Sequence, residues 1–245
     1  MQGVSGVIDV VCFDYEDLKD ESKDLSDLIE AAYGPDGYGI CLVKNVPNYT
    51  KLRNELLPLA HKLANLPKEK LEKLEFPETF YQVGWSHGKE KFKGKEDYSK
   101  GSFYANPQYD KPKADPNIKG ADIFPENKWP TEDLPELESA FKNLGQLIVN
   151  TGLLIAKHLD KYVEKKVPTY EKGKLTRIIK ESQTCKARLL HYFASKDPKD
   201  AVDDWCGWHN DSDTLTGLTG AMYIDGDNKS KIATIFFMKF SCRFR

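Results

Sequence analysis

Residues 205–225 read WCGWHNDSDTLTGLTGAMYID, and the reading of this stretch decides the fold. Side chains two apart in a β-strand share a face. His209 and Asp211 therefore project together, with Asn210 turned the other way. An imidazole beside a carboxylate makes two of the three ligands of a 2-His-1-carboxylate iron site. The competing reading is a polar pair in a surface turn. Trp208 before the pair, and Leu215, Leu218, Ala221 and Met222 after it, favour a strand entering an apolar setting. No histidine occurs in residues 212–245, so this stretch does not supply a third ligand.

Upstream, residues 184–194 (TCKARLLHYFA) alternate with period two and read as a strand. SKDPKDAVDD after them is a polar connection. Residues 206–224 read as a strand or bent pair broken near Gly217–Gly220, and Asp225-Gly226-Asp227-Asn228 is a hairpin signal. Further back, Leu137, Phe141, Leu144, Ile148, Thr151, Ile155, Leu159 and Tyr162 hold one face of a helix over 135–165. Residues 77–130 have no sustained period and read as long loops with short strands. In the N-terminal part, 4–13 is a first strand. A helix capped by Ser22 or Ser26 carries Leu25, Leu28, Ile29 and Ala32, and Gly34-Pro35 stops it. Ile40–Val43 is a buried-type strand. A helix capped by Thr50 runs to about Leu66 with a kink at Pro58, and Pro67 opens a shorter one. Helices first, then strands joined by polar turns, predict an α+β fold with a jelly-roll or sandwich sheet.

The bulk numbers narrow the function classes. The 245 residues suffice for one large domain or two small ones, 30% of them are charged, and the net charge is −2. No basic stripe points to nucleic acid, and no apolar run approaches the roughly 18 residues of a membrane span. The N-terminus lacks a basic segment followed by an apolar core, so no secretory signal is expected. The five cysteines are scattered without a CxxC pair, which suits free thiols in a reducing, cytoplasmic setting.

GWHNDSDTLTGL resembles the HxD strand of the 2-oxoglutarate- and Fe(II)-dependent dioxygenases, in the branch related to isopenicillin N synthase. Arg188-Leu189-Leu190-His191-Tyr192-Phe193 resembles that family's strand ending in a tyrosine pair and proline. Residues 7–10 (VIDV), GYGICLVKNVP and LANLPKEKLEKL resemble its N-terminal segments in the same order. The resemblance implies an incomplete double-stranded β-helix, or jelly roll, with flanking helices. It implies an N-terminal dioxygenase-type region over 1–130, and a helix spine with the first part of the catalytic sheet over 131–225. It further implies Fe(II) held by His209 and Asp211, 2-oxoglutarate as cosubstrate contacted by Tyr192, ascorbate as an accessory, and a small-molecule substrate. The family's asparagine beside that tyrosine falls on Leu190. Residues 226–245 depart from the pattern as an atypical tail. The family's second histidine and Arg-x-Ser anchor are absent, so a truncated, inactive chain is expected. The alternative is a non-catalytic isoform that binds a partner. IATIFFM, with strands lacking neighbours, would then leave edges open to self-association. A metal-binding module unrelated to oxidation is a third reading.

The remaining candidates are weaker. His191 faces away if Tyr192 faces a pocket. His158 lies near the apolar face of the long helix, as a packed or edge histidine. His61 reads as a partly exposed helix residue and His87 as a solvated loop residue. Cys206 stands at CxxH spacing from His209, but zinc needs a second pair, so a buried thiol is the better reading. Trp85, Phe92, Tyr98, Phe103, Tyr104 and Tyr109 serve either to pack a long loop or to wall a pocket. Lys89, Lys91, Lys93, Lys95 and Lys100 read as a solvated face.

Overall fold

In chain order the elements are β1 (Cys12–Asp14), α1 (Tyr15–Lys19), α2 (Ser26–Tyr33), β2 (Ile40–Lys44), α3 (Tyr49–Ala64), α4 (Lys68–Glu72), β3 (Gly84–His87), β4 (Lys91–Phe92), β5 (Lys95–Glu96) and β6 (Lys100–Ala105). Then follow α5 (Glu136–Lys166), α6 (Lys174–Glu181), β7 (Ala187–Tyr192), β8 (Thr216–Thr219), β9 (Met222–Ile224), β10 (Ser230–Ile232) and β11 (Phe236–Lys239). The computed structural model describes residues 9–92, 95–113, 125–194, 213–224, 230–232 and 236–239. The α+β class is observed. The chain divides into two compact units, one from residues 1–48, 148–181 and 210–245, the other from 49–147 and 182–209.

The first unit is built on a sheet in the order β1-β2-β11-β8. β1 runs parallel to β2, and β11 is antiparallel to both β2 and β8. Phe13, Cys41 and Val43 are buried from the strands, Leu18, Ile29 and Ala32 from the helices, and Ile155, Ala156 and Leu159 from α5. Burying a side chain of the Leu, Ile or Phe type is worth roughly 1.5–3 kcal/mol. Leu28, expected on the buried face of α2, is 40% exposed. α2 has no side-chain cap of its own; Asp24 Oδ1 instead accepts from the Ser26 amide and hydroxyl just before the first turn. Gly34 closes the helix with an ordinary φ of −68°. Its advantage is space, since a Cβ there would lie 2.4 Å from the Glu30 carbonyl oxygen.

One observation revises the reading of the C-terminal part. Residues Phe236–Lys239 of the tail form a central strand, with Phe237 opposite Leu42 on one side and Leu218 on the other. That part of IATIFFM is therefore paired on both sides rather than left as an open edge. β9 and β10 pair antiparallel with Ile224 opposite Ser230, and the hairpin turn expected at 225–228 lies outside the described residues.

α6 was not anticipated from the sequence. Its first turn is capped from a distance by Asp160, which accepts from the Leu175 and Thr176 amides, each at 2.9 Å. Asp160 also accepts from the Thr176 and Tyr170 hydroxyls, each at 2.6 Å. A cap fifteen residues away leaves no local capping pattern to read.

The second unit carries an antiparallel sheet in the order β3-β6-β7, with α3 packed against β7. Trp85, Phe103 and Leu189 stand in register on the inner face and are 2%, 0% and 4% exposed. Phe103, Trp129 and Phe141 form a triangle of ring contacts 5.5–6.0 Å apart on that side. Of the aromatics in the long loop region, Trp85, Phe103 and Tyr104 are thus strand residues, whereas Tyr98 is 60% exposed. Among the described residues no helix is long and apolar enough to cross a membrane.

Candidate functional site

The pleat of the β3-β6-β7 sheet sorts its side chains into two chemistries. With Trp85, Phe103 and Leu189 inward, His87, Gly101 and His191 fall on the same face. The opposite face carries Ser86 from β3, Lys100, Ser102 and Tyr104 from β6, and Arg188, Leu190 and Tyr192 from β7. A strand carrying Arg188, Leu190 and Tyr192 at i, i+2 and i+4 therefore presents all three to one side. His191 is turned away from Tyr192, as alternation predicts.

On this polar face Arg188 is held from three directions. Its Nε and Nη2 donate to Ser102 Oγ at 3.0 and 2.8 Å. Nη2 also donates to Glu90 Oε1 at 2.7 Å, and the guanidinium lies 5.1 Å from the centre of the Tyr104 ring. Tyr104 Oη donates to the same Glu90 oxygen at 2.8 Å. Lys100 Nζ sits 3.4 Å from Glu90 Oε2 and 3.0 Å from Asp97 Oδ2. Lys100, expected on a solvated face, is instead mostly enclosed, with 16% of its side chain exposed. Ser102 and Ser86 are buried.

The electrostatics follow from these contacts. Burial pushes the Glu90 carboxyl upward, but the Tyr104 hydroxyl and the Arg188 charge outweigh it and hold it below the usual range. Burial also opposes the charge on Asp97, and the bonds from Ser99 and Lys100 more than offset that. Lys100 is raised above an ordinary lysine, because Asp97 and Glu90 overcome its burial. Burial raises Tyr104 far enough that its phenol stays protonated and donates. The face is thus a fixed network of charges and donors.

The sequence-predicted residues divide as follows. Tyr192 stands on this polar face, 39% exposed, with its backbone opposite Lys100. Leu190 stands between Tyr192 and Arg188 on the same face. His209, Asp211 and Cys206 lie outside the described residues. Among the described residues no cluster of three His, Cys, Asp or Glu side chains forms a metal site. His158 is buried, with its Nε2 donating to the Leu18 carbonyl at 3.0 Å, so it is a packed histidine. His61 is half-buried with its ring 5.3 Å from that of His191, which in turn lies 4.8 Å from Phe193. His87, expected to be solvated, is half-buried: its Nε2 lies 3.1 Å from the Tyr98 carbonyl and its ring 4.8 Å from Phe193. Arg188, Glu90 and Ser102 were missed. The i, i+2 spacing of Arg188 with Leu190 would have found the first; Glu90 and Ser102 depend on strand register.

A groove of about 450 Å³ in the first unit is lined by Ser22, Ser26, His158, Lys161, Glu164 and Lys165 among others. Its lysines and carboxylates are intermixed, as in the Lys165–Asp24 pair at 2.8 Å, so it offers a ligand no single charge.

Comparison with known protein families and with curated proteins gives no match. Solved structures do match. A protein from Caulobacter crescentus assigned to the 2OG-Fe(II) oxygenase family aligns with a TM-score of 0.67 at 17% identity, over 95% of this chain and 73% of its own. A full-length Neurospora crassa protein, solved with alpha-KG, aligns with a TM-score of 0.68 at 17% identity, over 98% of this chain and 75% of its own. JOX2, solved with 2OG, Fe and JA, aligns with a TM-score of 0.60 at 16% identity, over 95% of this chain and 64% of its own. This chain therefore spans about three quarters of the length of the first two and under two thirds of JOX2. Likeness at this identity establishes that the chain shares their fold.

Proposed function

We propose that this chain is a member of the 2-oxoglutarate- and Fe(II)-dependent dioxygenases, whose complete members oxidise a small organic substrate while 2-oxoglutarate is decarboxylated to succinate and CO₂, and that these residues, with no second histidine after Asp211 and no Arg-x-Ser, bind iron and 2-oxoglutarate but are inactive or nearly so. The observation that carries the reading is the shared fold over 95–98% of the chain, together with an HxD pair 17 residues beyond Tyr192. On this reading the sheet belongs to a jelly roll. The solved structures include the Neurospora crassa protein with thymine or 5-formyluracil and JOX2 with JA, which supports a small-molecule substrate.

His209 and Asp211 would hold the iron. Imidazole and carboxylate are the donor types that suit Fe(II), and this pair would supply two of the three ligands such a site uses. When bound, iron supplies the redox chemistry. The residues of the chain bind, orient and exclude water. Tyr192 would donate its hydroxyl to 2-oxoglutarate, and Arg188 and Tyr104 beside it would form a charged, prearranged wall. Where the family has an asparagine, Leu190 offers no hydrogen bond, so Tyr192 carries more of the cosubstrate contact.

The test is succinate release from 2-oxoglutarate with Fe(II), O₂ and ascorbate. It is run on the wild type, His209→Ala and Asp211→Ala, with Fe(II)-dependent 2-oxoglutarate binding measured in parallel under argon. Fe(II)-dependent 2-oxoglutarate binding that both substitutions abolish, with little or no succinate released, supports the reading. Wild-type protein that does not bind 2-oxoglutarate, binding untouched by either substitution, or sustained succinate release that depends on His209 refutes it.

A further inference from the structure

We propose that the polar face of the β3-β6-β7 sheet recognises a neutral cis-amide edge, an adjacent carbonyl and N–H as in a lactam or cyclic imide, through Arg188 and Glu90. This names the substrate class of the site above and rests on that reading.

The guanidinium is prearranged. Ser102, 2% exposed, receives both Nε and Nη2, and the Tyr104 ring lies beneath the plane. Arg188 and Glu90 nevertheless keep 32% and 39% of their side chains exposed, so a ligand can reach them. The bonds already made determine what remains. Glu90 Oε1 is used twice, by Tyr104 and by Arg188 Nη2. Among the described residues Glu90 Oε2 is paired with Lys100 alone, at 3.4 Å. Among the described residues Arg188 Nη1 has no hydrogen-bond partner. Two adjoining side chains thus retain one donor, Nη1, and one acceptor, Oε2.

A carboxylate ligand fits this remainder poorly. Carboxylates bind guanidinium best through two parallel N–H bonds. Nη2 is committed to Glu90, so the fork is taken, and an incoming anion meets the Glu90 charge. The neighbouring cations do not reverse this. Lys100 is spent on Asp97 and Glu90, and Lys186 lies over the Tyr104 ring at 4.3 Å while donating to Gln82. A neutral amide edge meets both open positions, its carbonyl accepting from Nη1 and its N–H donating to Oε2, and leaves every internal pair intact. A ligand lacking either atom leaves a desolvated polar group unanswered, which is the strongest source of selectivity available to such a wall.

The test is an NMR titration of the full chain without iron or 2-oxoglutarate, following the Arg188 Nε–Hε resonance with 2-pyrrolidone and with butyrate. The expected result is a saturable shift with the lactam and at least tenfold weaker binding of butyrate. Arg188→Lys, which keeps the charge but not the fork, should weaken the lactam about tenfold. Glu90→Gln, nearly isosteric, should narrow or invert the preference by strengthening butyrate several-fold. Butyrate binding as tightly as the lactam in the wild type, no shift at Arg188 with either probe, or a preference unmoved by Glu90→Gln overturns the proposal. Glu90→Gln decides the matter if Arg188→Lys does not fold. Because the titration omits iron and cosubstrate, and succinate release uses neither probe, failure here is distinguishable from failure of the dioxygenase reading.

Discussion

Replacing Asp160 with Ala tests how the first unit holds α6. Asp160 is 3% exposed and accepts four hydrogen bonds, two from the first-turn amides of α6 and two from hydroxyls. Losing a helix N-cap costs about 1 kcal/mol. Hydrogen bonds to a charged acceptor are worth about 1.5–3 kcal/mol each, but here part is recovered because water reaches the half-exposed Tyr170 and Thr176 hydroxyls and a buried charge is removed. The net expectation is about 3 kcal/mol, or a fall in Tm of about 6–12 °C for a chain of this size. Asp160→Asn keeps one acceptor oxygen and should cost about half as much. Thermal melts followed by circular dichroism give the totals, and hydrogen exchange at the α6 amides gives the location. Protection there should fall in Asp160→Ala before it falls elsewhere. A loss under about 1 kcal/mol, with α6 protection unchanged, would show that α6 is held by apolar packing through Leu175 and not by its distant cap.

Three further outcomes are expected. Gly101→Ala places a Cβ 2.3 Å from the buried Trp85 ring and should destabilise by about 1–3 kcal/mol, readable as a lower urea midpoint. His158 has its pKa lowered from 6.5, chiefly by burial, with the Leu18 carbonyl bond opposing; His191 is lowered by burial and then by His61. A depressed pKa contributes stability that is present above 6.5 and lost as pH falls through the folded value, so stability should drop from pH 7.5 to 5.5. His158→Gln, which keeps a donor for Leu18, should flatten that slope, and an unchanged profile would assign it elsewhere. Tyr192→Phe removes one hydroxyl and should weaken 2-oxoglutarate about three- to tenfold in calorimetry with Fe(II) present, a loss of about 1 kcal/mol.

What the sequence discloses follows the range of the interactions. The long helix was legible to within a residue or two, because Leu137, Phe141, Leu144, Ile155 and Leu159 repeat a local period and all are buried. His158 was legible as a packed residue for the same reason. The face assignment of Tyr192 against His191 needed only strand alternation. α6 was not legible, since its cap comes from Asp160, and neither was the place of Phe236–Lys239, whose partners lie in β2 and β8. The polar wall depends on register: Arg188 meets Ser102 only because Tyr104 stands opposite it and Ser102 opposite Leu190. Lys100 looked like one of a row of solvated lysines until the fold placed Asp97 and Glu90 against it.

The HxD pair is the element on which the iron site depends. Anaerobic equilibrium dialysis of Fe(II) with 2-oxoglutarate present, on the wild type and on His209→Ala and Asp211→Ala, addresses it directly. One iron per chain is expected in the wild type, with at least tenfold weaker binding in each variant. Equal iron binding in all three proteins would contradict it.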